Sequence, residues 1–175
     1  MNKKYYIEID PIDKEKEILY IFKDYNARSF SKTDNGYNWL EEDTSKCVVI
    51  PNPHGGEDLE INVGDTGEFT VYFSANHVHY ASCQGDYEDM IRTIQEILNN
   101  DLCSGINKDT EGKWYGSRFV NKADTNNKPE TVFDFVFKKK EFQDKLMKTG
   151  YYIEFVFWDP ANSIILGAPS QNSTP

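Results

Sequence analysis

Residues 59–73 read LEINVGDTGEFTVYF, and this stretch decides the fold. Apolar and polar residues alternate on both sides of the segment 64–67, so each side is typical of a strand with one buried face. The segment itself, Gly-Asp-Thr-Gly, has the composition of a tight turn. The stretch therefore predicts a β-hairpin in which a four-residue loop joins strands 59–63 and 69–73.

Two further segments that favour strands flank this hairpin. Residues 47–50, Cys-Val-Val-Ile, end at the breaker cluster 51–56, and residues 77–80 follow a tight turn at 74–76. Because such short connections join neighbouring antiparallel strands, we expect an antiparallel meander.

The clearest helix is predicted over residues 86–99. Asp86 is suited to cap its N-terminus, and further acidic residues in the first turn suit the helix dipole. One apolar stripe at helical spacing follows, formed by Tyr87, Met90, Ile91, Ile94, Ile97 and Leu98. A second amphipathic pattern begins at Asp13, although residues 18–22 also fit a strand, and a third helix is predicted at 141–148.

The remaining segments complete one domain. Residues 26–38 are predicted to form a loop, and further strands are predicted at 5–9, 102–106, 114–120, 132–137 and 151–158. This order of elements indicates the α+β class, with a mainly antiparallel sheet (meander plus hairpin) covered by two to three helices. We expect a single domain over residues 1–168 and a disordered tail at 169–175.

The charge balance limits the class of partner. The 175 residues carry 19 Lys plus Arg against 29 Asp plus Glu, a formal net charge of −10. Nucleic acids and anionic membranes attract clusters of basic residues, and the only dense basic run is at 138–140. No apolar stretch approaches the roughly 20 residues that span a bilayer. We therefore expect neither a nucleic-acid nor a membrane partner.

The N-terminal residues and the cysteines indicate a compartment. Residues 1–10 contain no apolar run of the kind that secretory signals carry. The three cysteines, Cys47, Cys83 and Cys103, are an odd number without paired spacing, which favours free thiols in a reducing environment. The sequence thus predicts a cytoplasmic protein.

Signatures of catalysis are few. The sequence contains no nucleophile elbow, phosphate-binding glycine loop, dinucleotide fingerprint or His-Glu-x-x-His motif. Cys83 or Cys103 with His77 could pair as thiolate and imidazole only if the fold brought them together. We predict a protein that is not an enzyme and that has no cofactor.

His77 and His79 are the weak candidates for a metal site. Positions i and i+2 of a strand face the same side, so both imidazoles could reach one ion, with His54 or Cys83 as further ligands. The alternative, which the sequence favours, is a pair of hydrogen-bonded or half-exposed histidines. No resident metal is predicted.

Aromatic and acidic residues beside turns are the candidate partner-binding residues. They are Trp39, Glu41, Glu42, Trp114 and Tyr115. Aromatic side chains with one polar end are favoured at interfaces, and acidic groups complement a basic partner. The competing interpretations are ordinary core packing for the aromatic residues and a solvated surface for the acidic ones.

The middle third of the chain resembles small bacterial proteins of the polymorphic-toxin immunity type. The similarity lies in residues 70–73, 77–80, 87–100 and 112–117, together with Cys103. The resemblance implies an intracellular, non-enzymatic binding protein.

These observations favour an acidic cytoplasmic binding protein, of the kind that neutralises a basic toxin domain by occlusion. The alternatives are a metal-dependent or Cys/His enzyme that uses His77 and His79, or a regulatory module.

Overall fold

A computed structural model describes residues 7–126 and 140–168 of the chain. The predictions for the strand 132–137 and for the tail 169–175 lie outside these residues. Residues 7–9 of the predicted strand 5–9 are described, and there Glu8 forms an isolated antiparallel bridge with Cys83 instead of a continuous strand. The chain forms two compact units, Met1–Gln95 and Glu96–Pro175. The single domain stays a prediction, because two compact units can still unfold in one cooperative transition.

The α+β class is confirmed, with two antiparallel sheets where the sequence predicts one. In the first unit, a meander of five strands follows chain order: β1 (Arg28–Ser31), β2 (Lys46–Ile50), β3 (Leu59–Val63), β4 (Phe69–Phe73) and β5 (Asn76–Tyr80). Its helices are α1 (Glu15–Ile21) and α2 (Gln84–Leu98), the second of which crosses into the next unit.

The predicted hairpin is present as β3 and β4. Val63 pairs with Phe69 across the turn, and the alternate positions on one face are at most 1% exposed: Leu59, Ile61, Val63, Phe69, Val71 and Phe73. Gly64 adopts a φ of 83°, and a Cβ atom there would collide with the Ile12 side chain. The turn therefore favours glycine for its backbone, and any other residue would also require the Ile12 side chain to move.

The prediction of a loop over residues 26–38 is wrong, because β1 lies within it. Strand β1 pairs with β2 and has one aromatic residue, Phe30, among polar neighbours. Phe30 stacks on Tyr37 with ring centroids 4.4 Å apart. Pairing and this tertiary contact stabilise a strand that local composition does not indicate.

The prediction of Asp86 as the N-cap of the second helix is also wrong. Helix α2 begins at Gln84, and the Asp86 carboxylate accepts a hydrogen bond from the Ala81 amide at 2.9 Å. Asp86 therefore fixes the connection that enters the helix. The apolar stripe is confirmed, with five of its six residues buried and Ile91 half-buried.

The second unit contains a sheet of four strands in the order β7-β6-β8-β9. Its elements are β6 (Leu102–Asp109), β7 (Trp114–Asn121), α3 (Lys140–Thr149), β8 (Tyr151–Val156) and β9 (Ile164–Ala168). Leu146 of α3 packs in one buried cluster with Tyr151, Ile153 and Phe155 of β8. Strand β9 was not predicted from the sequence. It pairs with β8, where Ile153 lies opposite Leu166. Within the described residues, no helix has the length and apolar character needed to cross a membrane.

The first prediction concerns the core face of α2, where Ile94 is fully buried. Ile94→Asp should lower the free energy of unfolding by about 3 kcal/mol or more, because the carboxylate would have no partner there. The exposed neighbour allows a matched control, Gln95→Asp, which should change stability by less than about 0.5 kcal/mol. Denaturant unfolding of both variants measures the difference, and equal stabilities would contradict burial of the stripe.

The second prediction concerns the thiols. All three cysteines are free, and burial raises the pKa of Cys47 and of Cys103 to about 12. Cys83 is only half-buried, so a thiol reagent should label it first in the native protein, and Cys83→Ser should remove this fast phase. In denaturant without reductant, three groups should react. A count of one would mean a disulfide bond.

Candidate functional site

The first sheet presents a polar face on the side opposite its core face. Directly paired residues share a face, so the strand register places two rows of side chains across β2 to β5. One row is Cys47, Asn62, Thr70 and His79, and the other is Val49, Glu60, Tyr72 and His77. Burial, with Asp58 nearby, raises the pKa of Glu60 on this face.

A small apolar cluster covers the β1–β2 end of this face. Leu40, Cys47 and Val49 form its buried centre, and Phe30 and Tyr37 pack against it. The loop between β1 and β2 therefore folds back on the sheet.

Trp39 lies at the outer side of this cluster. Its ring centroid is 6.4 Å from that of Tyr37, and the residue is 45% exposed. Next to it in the sequence are three exposed acidic residues, Glu41, Glu42 and Asp43. We call residues 39–43 the Trp39 loop.

The carboxylate of Asp65 holds the Trp39 loop in place. Its Oδ1 atom accepts hydrogen bonds from the backbone amides of Glu41 (3.0 Å) and Glu42 (3.3 Å). The same oxygen accepts from Ser45 Oγ at 3.1 Å, and Oδ2 accepts from Asn62 Nδ2 at 3.2 Å. Asp65 lies in the β3–β4 turn, so the loop is tied to the hairpin rather than only to its own strands.

Lys32 also contacts the loop. Lys32 Nζ donates to the carbonyl oxygen of Glu41 at 2.9 Å and lies 3.4 Å from an Asp43 carboxylate oxygen. The side chain of Asp43 is 94% exposed, so this ion pair is weak. The acidic side chains outnumber this lysine, and the loop presents negative charge beside an exposed indole.

Three of the five predicted partner-binding residues thus lie together in one loop: Trp39, Glu41 and Glu42. Trp114 and Tyr115 belong to the second unit, at the start of β7. Trp114 is 57% exposed and pairs with Lys108, whereas Tyr115 is half-buried against the core cluster, with Lys113 Nζ 5.7 Å from its ring centroid. Lys108 Nζ is 2.7 Å from a Glu154 carboxylate oxygen, and Tyr115 hydrogen-bonds to the Asp109 carboxylate, so this pair lies among charges of both signs and not beside a cluster of acidic residues.

His77 and His79 lie side by side on β5, both exposed, with ring centroids 5.1 Å apart. His79 Nδ1 is 2.6 Å from Glu68 Oε1 and 3.1 Å from Thr70 Oγ1. Across the described residues, no group of three or more His, Cys, Asp or Glu side chains is arranged to hold a metal ion, so His54 and Cys83 do not complete the set there.

Cys103 is fully buried in the core of the second unit, and its Sγ lies 3.4 Å from the Val120 carbonyl oxygen, to which the thiol donates. Burial raises the pKa of this thiol to about 12. This is the reverse of the change that activates a cysteine nucleophile.

Two residues of this face, Asp65 and Glu68, were not predicted from the sequence. An aspartate in a Gly-Asp-Thr-Gly turn usually bonds to the turn itself, so nothing in the sequence links Asp65 to a loop 23 residues earlier. Glu68 could have been found, because the predicted pairing of the strands brings the start of β4 beside the end of β5.

The third prediction concerns the anchoring of the Trp39 loop. Asp65→Ala should speed hydrogen exchange at the Glu41 and Glu42 amides and lower the free energy of unfolding by about 1–2 kcal/mol, because both amides lose their acceptor. Asp43→Ala is the control, since it removes an acidic side chain of the same loop that accepts from neither amide. Unchanged exchange in the Asp65 variant would contradict this anchoring.

Known proteins add nothing to this geometry. No family model, curated protein or solved structure matches the chain. The resemblance to immunity proteins stays a prediction. A function can therefore be proposed only from the surface residues of the chain.

Proposed function

We propose that this chain is an acidic cytoplasmic binding protein of the immunity type, which engages a basic protein domain through the Trp39 loop. The observation that carries the proposal is the arrangement of an exposed indole and three exposed carboxylates on a loop that the Asp65 carboxylate holds.

The indole supplies the anchor. Trp39 is exposed, yet it stands beside the stacked rings of Phe30 and Tyr37, which restrict the loop that carries it. Tryptophan is prominent among the residues that dominate binding energy, and a side chain already held in place loses little conformational entropy on binding.

The carboxylates supply attraction and selectivity. Glu41, Glu42 and Asp43 lie within one short loop, and Asp65 adds a negative charge beneath it. The net charge of the chain is −10, the same sign as this cluster. Together they attract a basic surface over about a Debye length, roughly 8 Å at physiological ionic strength. A toxin domain that acts on nucleic acid has a basic cleft, and carboxylates that occupy it would block the substrate by occlusion.

The fourth prediction tests the roles of the indole and the carboxylates with a purified partner, first isolated from the native cell by wild-type protein but not by Trp39→Ala. Trp39→Ala should raise the dissociation rate constant about 30-fold, the equivalent of about 2 kcal/mol. The double variant Glu41→Lys, Glu42→Lys should mainly lower the association rate constant, because charges at the rim act on encounter. Surface binding kinetics at two salt concentrations measure both.

Trp114→Ala is the matched control, since Trp114 is similarly exposed but belongs to β7 and not to the Trp39 loop. It should leave both rate constants unchanged. A salt-independent association rate, an acidic partner, or a larger effect of Trp114→Ala than of Trp39→Ala would each contradict the proposal.

A further inference from the structure

The histidine pair stands at the other edge of the same polar face. β5 is the last strand of the meander, and the His79 side chain is 54% exposed. The Tyr72 ring lies beside His77, with centroids 5.6 Å apart, so the exposed imidazole has a fixed neighbour on one side. Both imidazoles are open to an ion from solvent.

The separation of the two rings suits chelation. Imidazole nitrogens bind Zn²⁺ at about 2.0–2.1 Å, which puts each ring centre about 3.2 Å from the ion. At a tetrahedral angle the ring centres are then about 5.2 Å apart. The observed distance between the His77 and His79 centroids is 5.1 Å. Rotation of the exposed His77 side chain can aim its nitrogen without moving the strand or the His79 ring.

Glu68 prepares one of the two ligands. A carboxylate only accepts hydrogen bonds, so the 2.6 Å contact requires the proton on Nδ1 of His79. In the neutral ring, this leaves the lone pair on Nε2, which is the atom a metal would bind. Metal-binding histidines commonly donate their other N–H to a carboxylate in this way.

We propose that His77 and His79 together bind one divalent transition-metal ion of the class that prefers imidazole, represented by Zn²⁺, with Glu68 as the positioning residue. Water completes the coordination, because the described residues hold no third ligand of the His, Cys, Asp or Glu type in place. A site with two protein ligands exchanges its ion readily, so the ion is a ligand of the folded protein rather than a requirement for folding. The inference rests on residues other than those of the Trp39 loop.

The fifth prediction is tested by calorimetric titration of the full chain, without an affinity tag, with Zn²⁺ alone in a buffer that does not bind metals. One ion per chain should bind saturably, and Mg²⁺, which prefers oxygen ligands, should not. His77→Ala and His79→Ala should each abolish saturable binding. Glu68→Ala, which removes the acceptor, should weaken it by about tenfold. The ¹⁵N shifts of the His79 imidazole should show less of the Nδ1–H tautomer in Glu68→Ala and recovery of it in Glu68→Gln, whose amide oxygen still accepts, which a merely structural role of Glu68 would not produce.

The third histidine of the chain supplies the matched control. His54 is exposed in the β2–β3 connection, and His54→Ala should bind Zn²⁺ as the wild type does. The proposal is overturned if Zn²⁺ shows no saturable binding up to millimolar concentration. It is equally overturned if binding persists in the double variant His77→Ala, His79→Ala, or if His54→Ala weakens it as much as His77→Ala. None of these outcomes bears on the protein partner, because that interaction is read out by Trp39→Ala.

Discussion

The hydrogen bonds of the Asp65 carboxylate join the hairpin that organises the first sheet to the loop that presents Trp39. Two backbone amides, one hydroxyl and one side-chain amide converge on its two oxygens. Bonds to a charged acceptor are stronger than those between neutral groups. Without them, the exposed amides of Glu41 and Glu42 would bond to water, and the loop would lose the fixed position on which the proposed interface depends. The affinity of such an interface depends on this rigidity as well as on the number of acidic residues, because an ordered loop loses little entropy on binding.

Local patterns predicted the elements whose apolar faces are regular. Apolar and polar residues alternate along β3 and β4, and the apolar residues of α2 repeat at helical spacing. The period of the apolar residues was therefore enough to identify these elements. Strand β1 has one apolar residue, Phe30, and its partner Tyr37 lies seven residues later in a polar segment. The helix start was misplaced for a similar reason. Asp86 is chemically suited to cap a helix, but its carboxylate accepts from Ala81 instead, which only the tertiary structure shows.

The sequence predicted the residue types of the candidate surface, but it did not predict the hydrogen bonds that hold them in place. Exposed tryptophan and clustered glutamates indicated an interface, and the structure gathers Trp39, Glu41 and Glu42 in one loop. Their anchor lies 23 to 24 residues away in the sequence, beyond any local pattern. For Trp114 and Tyr115 the sequence predicted the same role. In the structure, Trp114 is exposed and Tyr115 is half-buried. Asn107 of β6 pairs with Gly116 and Lys108 pairs with Trp114, so Tyr115 has no opposite residue and the regular alternation of β7 is interrupted there.

One short turn contributes a residue to the Trp39 loop and another to the histidine pair. The β3–β4 turn contributes Asp65, which bonds towards the Trp39 loop, and three residues later Glu68 bonds towards His79. Gly64 precedes Asp65 and Gly67 precedes Glu68, and both glycines adopt a positive φ, which lets this turn direct the two carboxylates to different neighbours. A change of backbone in this turn would disturb the loop and the histidine pair together. A change confined to β1 or to β5 would disturb only one of them. The β3–β4 hairpin, which decides the fold, therefore also positions the Trp39 loop and the histidine pair.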